Sequence, residues 1–152
     1  MTGTPIIVPY YPAHAYEVLQ RNVREQDLWL SDYPEWDQWV QGWKDGGPAY
    51  TLIMDDQVVG CAGVVLLEWG RGEAWTLLSS LFYRYKLTAI RFIKKYLQRI
   101  AEDEELKRVQ AQVRCDFEAG KRFIEFLGFE REGVLRRFGP NSEDIVMYSK
   151  LY

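Results

Sequence analysis

Residues 108–133, RVQAQVRCDFEAGKRFIEFLGFEREG, decide the fold. Val109, Ala111, Val113 and Cys115 alternate with Gln110, Gln112 and Arg114. That period of two marks a strand with one buried face. Phe117, Gly120, Phe123, Ile124 and Leu127 then recur at helical spacing, so strand gives way to helix near Asp116. Gly128 follows the last apolar helical position, where a left-handed C-terminal cap favours glycine. Phe129 is placed to fold back on the helix end. The stretch reads as strand, short helix, turn and strand.

Working outward, Asp144 to Tyr148 supplies a closing strand. Upstream, Leu87 to Glu105 is the clearest helix, with Ile90, Ile93, Leu97 and Ile100 on its apolar stripe and Arg91, Lys94, Lys95 and Arg99 turned away. The run Glu102 to Glu105 lies at the helix end that disfavours negative charge and should fray into a solvated loop. Glu73 to Ser80 reads as a strand. Tyr50 to Met54 and Val58 to Leu67 read as a hairpin turned by Asp55-Asp56-Gln57. Trp36, Trp39, Val40 and Trp43 fall at helical spacing before the breakers Asp45-Gly46-Gly47-Pro48. Ala13 to Val23 reads as a helix, and Ile6-Ile7-Val8 as a short strand. The order is strand, helices, three antiparallel strands, helix, strand, helix and two strands. That is an α+β, or mixed α/β, layout around one central sheet.

The 152 residues fit one domain, 1–152, long enough to bury a proper core without staples. A net charge of −3 argues against bulk nucleic-acid binding. No run of 18 apolar residues offers a membrane span. The opening MTGTPIIVPYYP does not read as a signal peptide, so a cytoplasmic location is expected. Cys61 and Cys115 lie in strand patterns and read as buried free thiols. With one histidine and no close cysteine spacing, a zinc site is not expected. His14 reads as a surface residue in the first turn of a helix.

The strand, the helix, Leu127-Gly128-Phe129, then Glu132-Gly133 and the closing strand resemble the C-terminal half of the GNAT superfamily, the acetyl-CoA-dependent N-acyltransferases. The resemblance covers about residues 52–152. It implies a mostly antiparallel central sheet, splayed between strands four and five, with helices on both faces and acetyl-CoA in the V. It implies transfer of the acetyl group to a small-molecule or peptide amine by direct attack. Members often dimerise, so a homodimer stays open. The coenzyme's pyrophosphate would sit on backbone N–H groups at the third helix, where unsatisfied amides and the positive helix end attract an anion. The family's loop there runs Gln or Arg, two residues, Gly, any residue, Gly or Ala. Here it is Arg84-Tyr85-Lys86-Leu87-Thr88-Ala89. Arg84 and Ala89 agree, Leu87 replaces the central glycine, and Arg84 and Lys86 could compensate as phosphate partners. Leu78, Ser79 and Ser80 close the coenzyme set, with an oxyanion donor expected from an N–H near Leu78 or Ser79.

The same resemblance marks departures. Phe117 stands where many members carry Asn, and Ile124 where many carry the Tyr that protonates the leaving thiolate; neither can donate a proton. For a base, Glu73 and Glu68 are available at strand ends. For an acid, Tyr148, Tyr83 and Tyr85 are available; Glu73 and Tyr148 are the leading pair. Trp29 and Tyr33 are expected to line the acceptor site, and Trp36, Trp39 and Trp43 to form a core stripe. The ending LRRFGPNSEDIVMYSK also resembles GNAT-like proteins of tailed phages and prophages. This keeps a second reading open: a non-catalytic member that binds protein partners, a virion protein among them.

Overall fold

A computed structural model describes residues 3–22 and 34–152. The strands are β1 (Ile6–Pro9), β2 (Ala49–Met54), β3 (Gln57–Leu66), β4 (Arg71–Leu78), β5 (Arg108–Arg114), β6 (Glu130–Leu135) and β7 (Ile145–Leu151). The α-helices are α1 (Pro12–Glu17), α2 (Trp36–Asp45), α3 (Lys86–Asp103) and α4 (Glu118–Phe126). The seven strands form a mixed sheet in the order β1-β2-β3-β4-β5-β7-β6. The chain divides into two compact units, Met1–Val65 with Trp75–Ile100 and Leu66–Ala74 with Ala101–Tyr152. β4 contributes to both.

In the first unit, Tyr10, Ala15, Val18, Val40, Val58, Cys61 and Leu77 form a buried core, and Trp36, Trp39 and Trp43 pack against it. Their three- and four-residue spacing puts them on the inner face of α2. Trp43 stacks on Trp75 at 4.3 Å and 11°, and Tyr10 meets Trp75 edge-on at 5.1 Å. The Tyr10 hydroxyl donates to the Val40 carbonyl at 2.9 Å, which satisfies a buried phenol. Asp55 and Asp56 have φ of 49° and 62°, the left-handed pair that a two-residue hairpin requires.

The second unit is built on β5, β7 and β6, paired antiparallel, with Gln110 opposite Ser149 and Ala111 opposite Tyr148. β4 joins β5 in parallel over Arg71–Glu73 with Arg108–Gln110. Both strands run on, to Leu78 and Arg114, beyond their last recorded pair. α4 ends as the sequence predicts. Gly128 takes φ of 94°; its N–H reaches the Glu125 carbonyl at 3.0 Å and the Phe129 N–H reaches Ile124 at 3.2 Å. This double bond pattern is a Schellman cap, and it buries Phe129 to 3% exposure. At the other end, a Cβ on Gly120 would lie 2.5 Å from the Phe117 ring, so glycine lets that ring cover the first turn.

Several boundaries differ from the sequence reading. The first helix stops at Glu17 and continues as a π-helical turn, Val18–Asn22; Val23 lies outside the described residues. β4 begins at Arg71 and ends at Leu78, and Ser80–Phe82 forms a 3-10 turn. The acidic run keeps Glu102 and Asp103 in α3 and releases Glu104 and Glu105. Glu105 takes φ of 52°, and the buried Leu106 returns its N–H to Ala101 at 2.9 Å. Cys115 falls past β5 and is only half-buried, whereas Cys61 is fully buried.

Candidate functional site

At the end of β4 the backbone sorts its donors by edge. Ser79 sends its N–H to the Val59 carbonyl at 2.9 Å and its Oγ–H to the same oxygen at 2.8 Å. Its Oγ also accepts the Leu81 N–H at 3.2 Å, capping the 3-10 turn. Ser79 is therefore spent as a donor, which corrects its place among the oxyanion donors. Successive strand amides point to opposite edges. The N–H of Leu78, and of Thr76 two residues earlier, thus face the β4 edge away from β3, and recorded β4–β5 pairing stops at Glu73. Thr76 was not singled out from sequence, because only an observed pairing direction separates its amide from that of Leu77.

The chain then turns into α3. Tyr85 gives its N–H to the Leu81 carbonyl at 3.1 Å and receives the Ala89 N–H at 2.9 Å. Ala89 is buried. Lys86, Leu87 and Thr88 form the first turn, where amides have no intrahelical acceptor. No carboxylate lies in that turn, and Arg84 and Lys86 are exposed beside it, as is Ser80. This donor set fits an anion such as a pyrophosphate. Leu87 is 70% exposed and helical, so its side chain stands in solvent at the helix end and no glycine-type loop forms. The Arg84 guanidinium lies over the Tyr85 ring at 5.3 Å. The Tyr85 hydroxyl is tied to Asp55, which raises its pKa and removes it from the set of ready acids. Tyr83 is 56% exposed.

In the second unit, Glu73 Oε1 accepts from Gln110 Nε2 at 3.2 Å and from Gln112 Nε2 at 2.9 Å. Arg108 makes a two-pronged pair with Glu132 at 2.7 and 2.6 Å, and Ser149 Oγ donates to Glu132 at 2.8 Å. These bonds hold the Glu132 carboxyl down at about 2, Arg108 contributing most. Glu68 is exposed in the β3–β4 turn. Tyr148 is fully buried and donates its hydroxyl to Glu125 at 2.8 Å. Burial, followed by that bond to a carboxylate, pushes the phenol up to about 12.

Register separates the two leading chemical residues. Glu73 pairs with Gln110 and Tyr148 with Ala111, and adjacent strand residues face opposite sides of a sheet. Glu73 and Tyr148 therefore lie on opposite faces and do not serve one reacting centre. Tyr148 is a packed residue with its proton committed, which corrects its assignment as the acid. Trp29 and Tyr33 lie outside the described residues. His14 is half-buried, against the surface reading. Its Nδ1 accepts the Tyr11 N–H at 3.1 Å and lies 2.8 Å from Thr51 Oγ1, and burial lowers its pKa. The same hydroxyl lies 3.5 Å from Cys61 Sγ, whose thiol burial pushes up to about 12.

The fold is that of the GNAT acetyltransferases. The chain superimposes on the GNAT-family acetyltransferase of Bacillus anthracis with a TM-score of 0.71 at 15% identity, over 99% of this chain and 98% of that one. The ribosomal-protein-S18-alanine N-acetyltransferase of Escherichia coli gives 0.68 at 16%, over 97% and 94%. The ribosomal L7/L12 α-N-protein acetyltransferase, solved with coenzyme A, gives 0.70 at 14%, over 97% and 94%. No family model matches the chain, and no curated protein does. Identities this low establish the fold and leave the chemistry to the residues.

Among the described residues no helix is long and apolar enough to cross a membrane.

Proposed function

We propose that the chain is an acetyl-CoA-dependent N-acyltransferase that delivers the acetyl group to a small-molecule or peptide amine. One observation supports the reading: the first turn of α3 carries no carboxylate and is flanked by the exposed Arg84 and Lys86, at the place where the family resemblance puts a pyrophosphate. Lys86, Leu87 and Thr88 would hold that group through their amides, with Arg84 and the Lys86 ammonium as counter-charges. The N–H groups of Leu78 and Thr76 would bind carbonyl oxygens along the β4 edge. When bound, the coenzyme supplies an activated thioester. Glu73, steadied by Gln110 and Gln112, is the group assigned to take the amine's proton. No side-chain acid is assigned: a thiolate with an ordinary pKa of about 8.5 leaves without one.

A second reading has its own support. Phe117 caps α4 with no side-chain bond, Ile124 replaces a proton donor, and the Tyr148 proton is committed. A non-catalytic GNAT-fold protein that binds other proteins, as in phages and prophages, fits these three positions.

Calorimetric titration with acetyl-CoA and CoA tests the first reading. Micromolar binding, about −8 kcal/mol, supports it, and Leu87→Gly is expected to tighten it by baring the backbone that the phosphate approaches. Absence of heat at millimolar ligand for both proteins, with unshifted melting temperatures, sinks it. Tight binding without turnover on a panel of amines favours the second reading.

A further inference from the structure

One sheet face of the second unit gathers polar side chains. Arg71 stands opposite Arg108, Glu73 opposite Gln110, and Gln110 opposite Ser149. These residues share that face with Gln112 and Arg114, while Val109 and Ala111 are buried on the other. The face holds three arginines, and each is engaged away from Glu73. Arg71 gives its Nε–H to the Glu68 carbonyl at 3.1 Å and lays its guanidinium over the Trp69 ring at 5.2 Å. Arg108 is clasped by Glu132 at 2.7 and 2.6 Å. Arg114 pairs with Asp116 at 2.8 Å.

Glu73 is met by neutral dipoles instead. Gln110 Nε2 and Gln112 Nε2 both reach its Oε1, at 3.2 and 2.9 Å. Among the described residues its Oε2 takes no hydrogen bond, and no lysine or arginine pairs with it. Both carboxamides present their nitrogens to the carboxylate, and their oxygens differ in what they find. Gln110 Oε1 accepts from Arg108 Nε at 3.4 Å, whereas Gln112 Oε1 has no partner among the described residues. Glu73 is half-buried and Gln112 is exposed. Two touching side chains thus offer one carboxylate oxygen and one carboxamide oxygen, both acceptors without a donor, around a negative charge that no cation neutralises. A half-buried charge in that condition is costly, and a small cationic donor would complete it. Among the described residues no three His, Cys, Asp or Glu converge to hold a metal ion.

We propose that this pair is the ammonium site of the acceptor: Glu73 Oε2 and Gln112 Oε1 accept two N–H bonds of a protonated aliphatic amine. The proposal rests on the acyltransferase reading and names its substrate class. The acceptor is an aliphatic primary amine of lysine-like basicity, about 10.4 and so charged at neutral pH, in preference to a neutral arylamine. An ammonium has three donors and no acceptor, whereas a hydroxyl has a single donor, so two bare oxygens beside an uncancelled charge select the ammonium. Gln112 then touches substrate, and Gln110, its oxygen already used, is a positioning residue that steadies Glu73.

The test is nitrogen-15 NMR of the full chain, in which the Gln110 and Gln112 side-chain amides report directly on the site. The titrant is n-butylammonium chloride, with n-butanol and sodium chloride as controls. The ammonium should shift both amide signals to saturation, and the controls should not. Glu73→Gln, which keeps the shape and removes the charge, should weaken binding about tenfold or more. Gln112→Leu, read at Gln110, should do the same, and Gln110→Leu, read at Gln112, should cost about threefold at most. A dispersed backbone spectrum shows that each variant is folded. Overturning results are no saturable shift, an equal shift from butanol or sodium chloride, unchanged binding by Glu73→Gln, or equal weakening by Gln110→Leu and Gln112→Leu, which would make Gln112 only a support for Glu73. CoA calorimetry is read separately. CoA binding without an ammonium shift refutes this site and leaves the acyltransferase reading standing. An ammonium shift without CoA binding removes that reading, and with it the role of acceptor site.

Discussion

Removing one oxygen, in Tyr148→Phe, separates structure from chemistry at the residue that looked most like an acid. The ring is fully buried and its hydroxyl donates to Glu125 at 2.8 Å. Glu125 is exposed, so its carboxylate can be solvated again when the phenol is gone. The loss is then one hydrogen bond, about 1 kcal/mol, or about 3 °C in Tm for a chain of 152 residues. On the chemical side the phenol stands at about 12, against about 8.5 for an ordinary thiol. A proton passing from Tyr148 to a leaving thiolate would climb about 5 kcal/mol. The variant should therefore melt slightly lower and keep its turnover within about threefold. Thermal denaturation and free-thiol release from acetyl-CoA, with an amine found active in the panel, measure the two effects. A loss of turnover of about 100-fold or more, the range of general acid catalysis, with Tm unchanged would refute the argument.

Glu73→Gln should lower turnover by about 100-fold with CoA affinity unchanged; calorimetry and initial rates decide, and equal rates would remove Glu73 from the chemistry. His14 has its folded-state pKa below the ordinary 6.5, so the unfolded chain takes up the proton first. Its share of stability is whole above pH 6.5 and falls as pH drops below it; melting curves from pH 8 to pH 5 should show this slope, and His14→Gln should remove it. Gly128→Ala meets only Lys150, at 3.5 Å, so its cost is backbone strain at φ of 94°. About 1–2 kcal/mol is expected, measured as a drop of roughly 3–6 °C in Tm, and an unchanged Tm would show that the cap tolerates a side chain.

Much of the fold was legible because its signals are local. The alternation of Val109, Ala111 and Val113 marks β5, and Gly128 marks the cap of α4, since φ of 94° suits no other residue as well. Trp36, Trp39 and Trp43 announce a packed helix face by spacing alone. Boundaries failed where a side chain chose the ending. Ser79 looks like a continuing strand, yet its hydroxyl caps the 3-10 turn and stops β4. His14 looks like a surface histidine because its partner Thr51 is 37 residues away, and no local pattern announces such a pair.

The site was less legible, for a reason that the register makes plain. Glu73 and Tyr148 are candidates, as base and as acid, for the chemistry that the resemblance implies, and a strand read by itself has no absolute face. Parity becomes meaningful only once β4 is set against β5, and β5 against β7. Gln110 then stands beside Glu73 and Ala111 beside Tyr148. One residue along β5 moves a side chain through the sheet, so the two assignments could not both belong to one centre. The same parity leaves Glu73 among Gln110 and Gln112, whose amides sit two apart on its own face and both reach its Oε1. In sequence these glutamines read only as the polar half of an alternating strand. In the folded chain they hold the carboxylate to which the chemistry is assigned, so replacing both by leucine should cost turnover through the freedom it gives Glu73, while CoA affinity stays as it was.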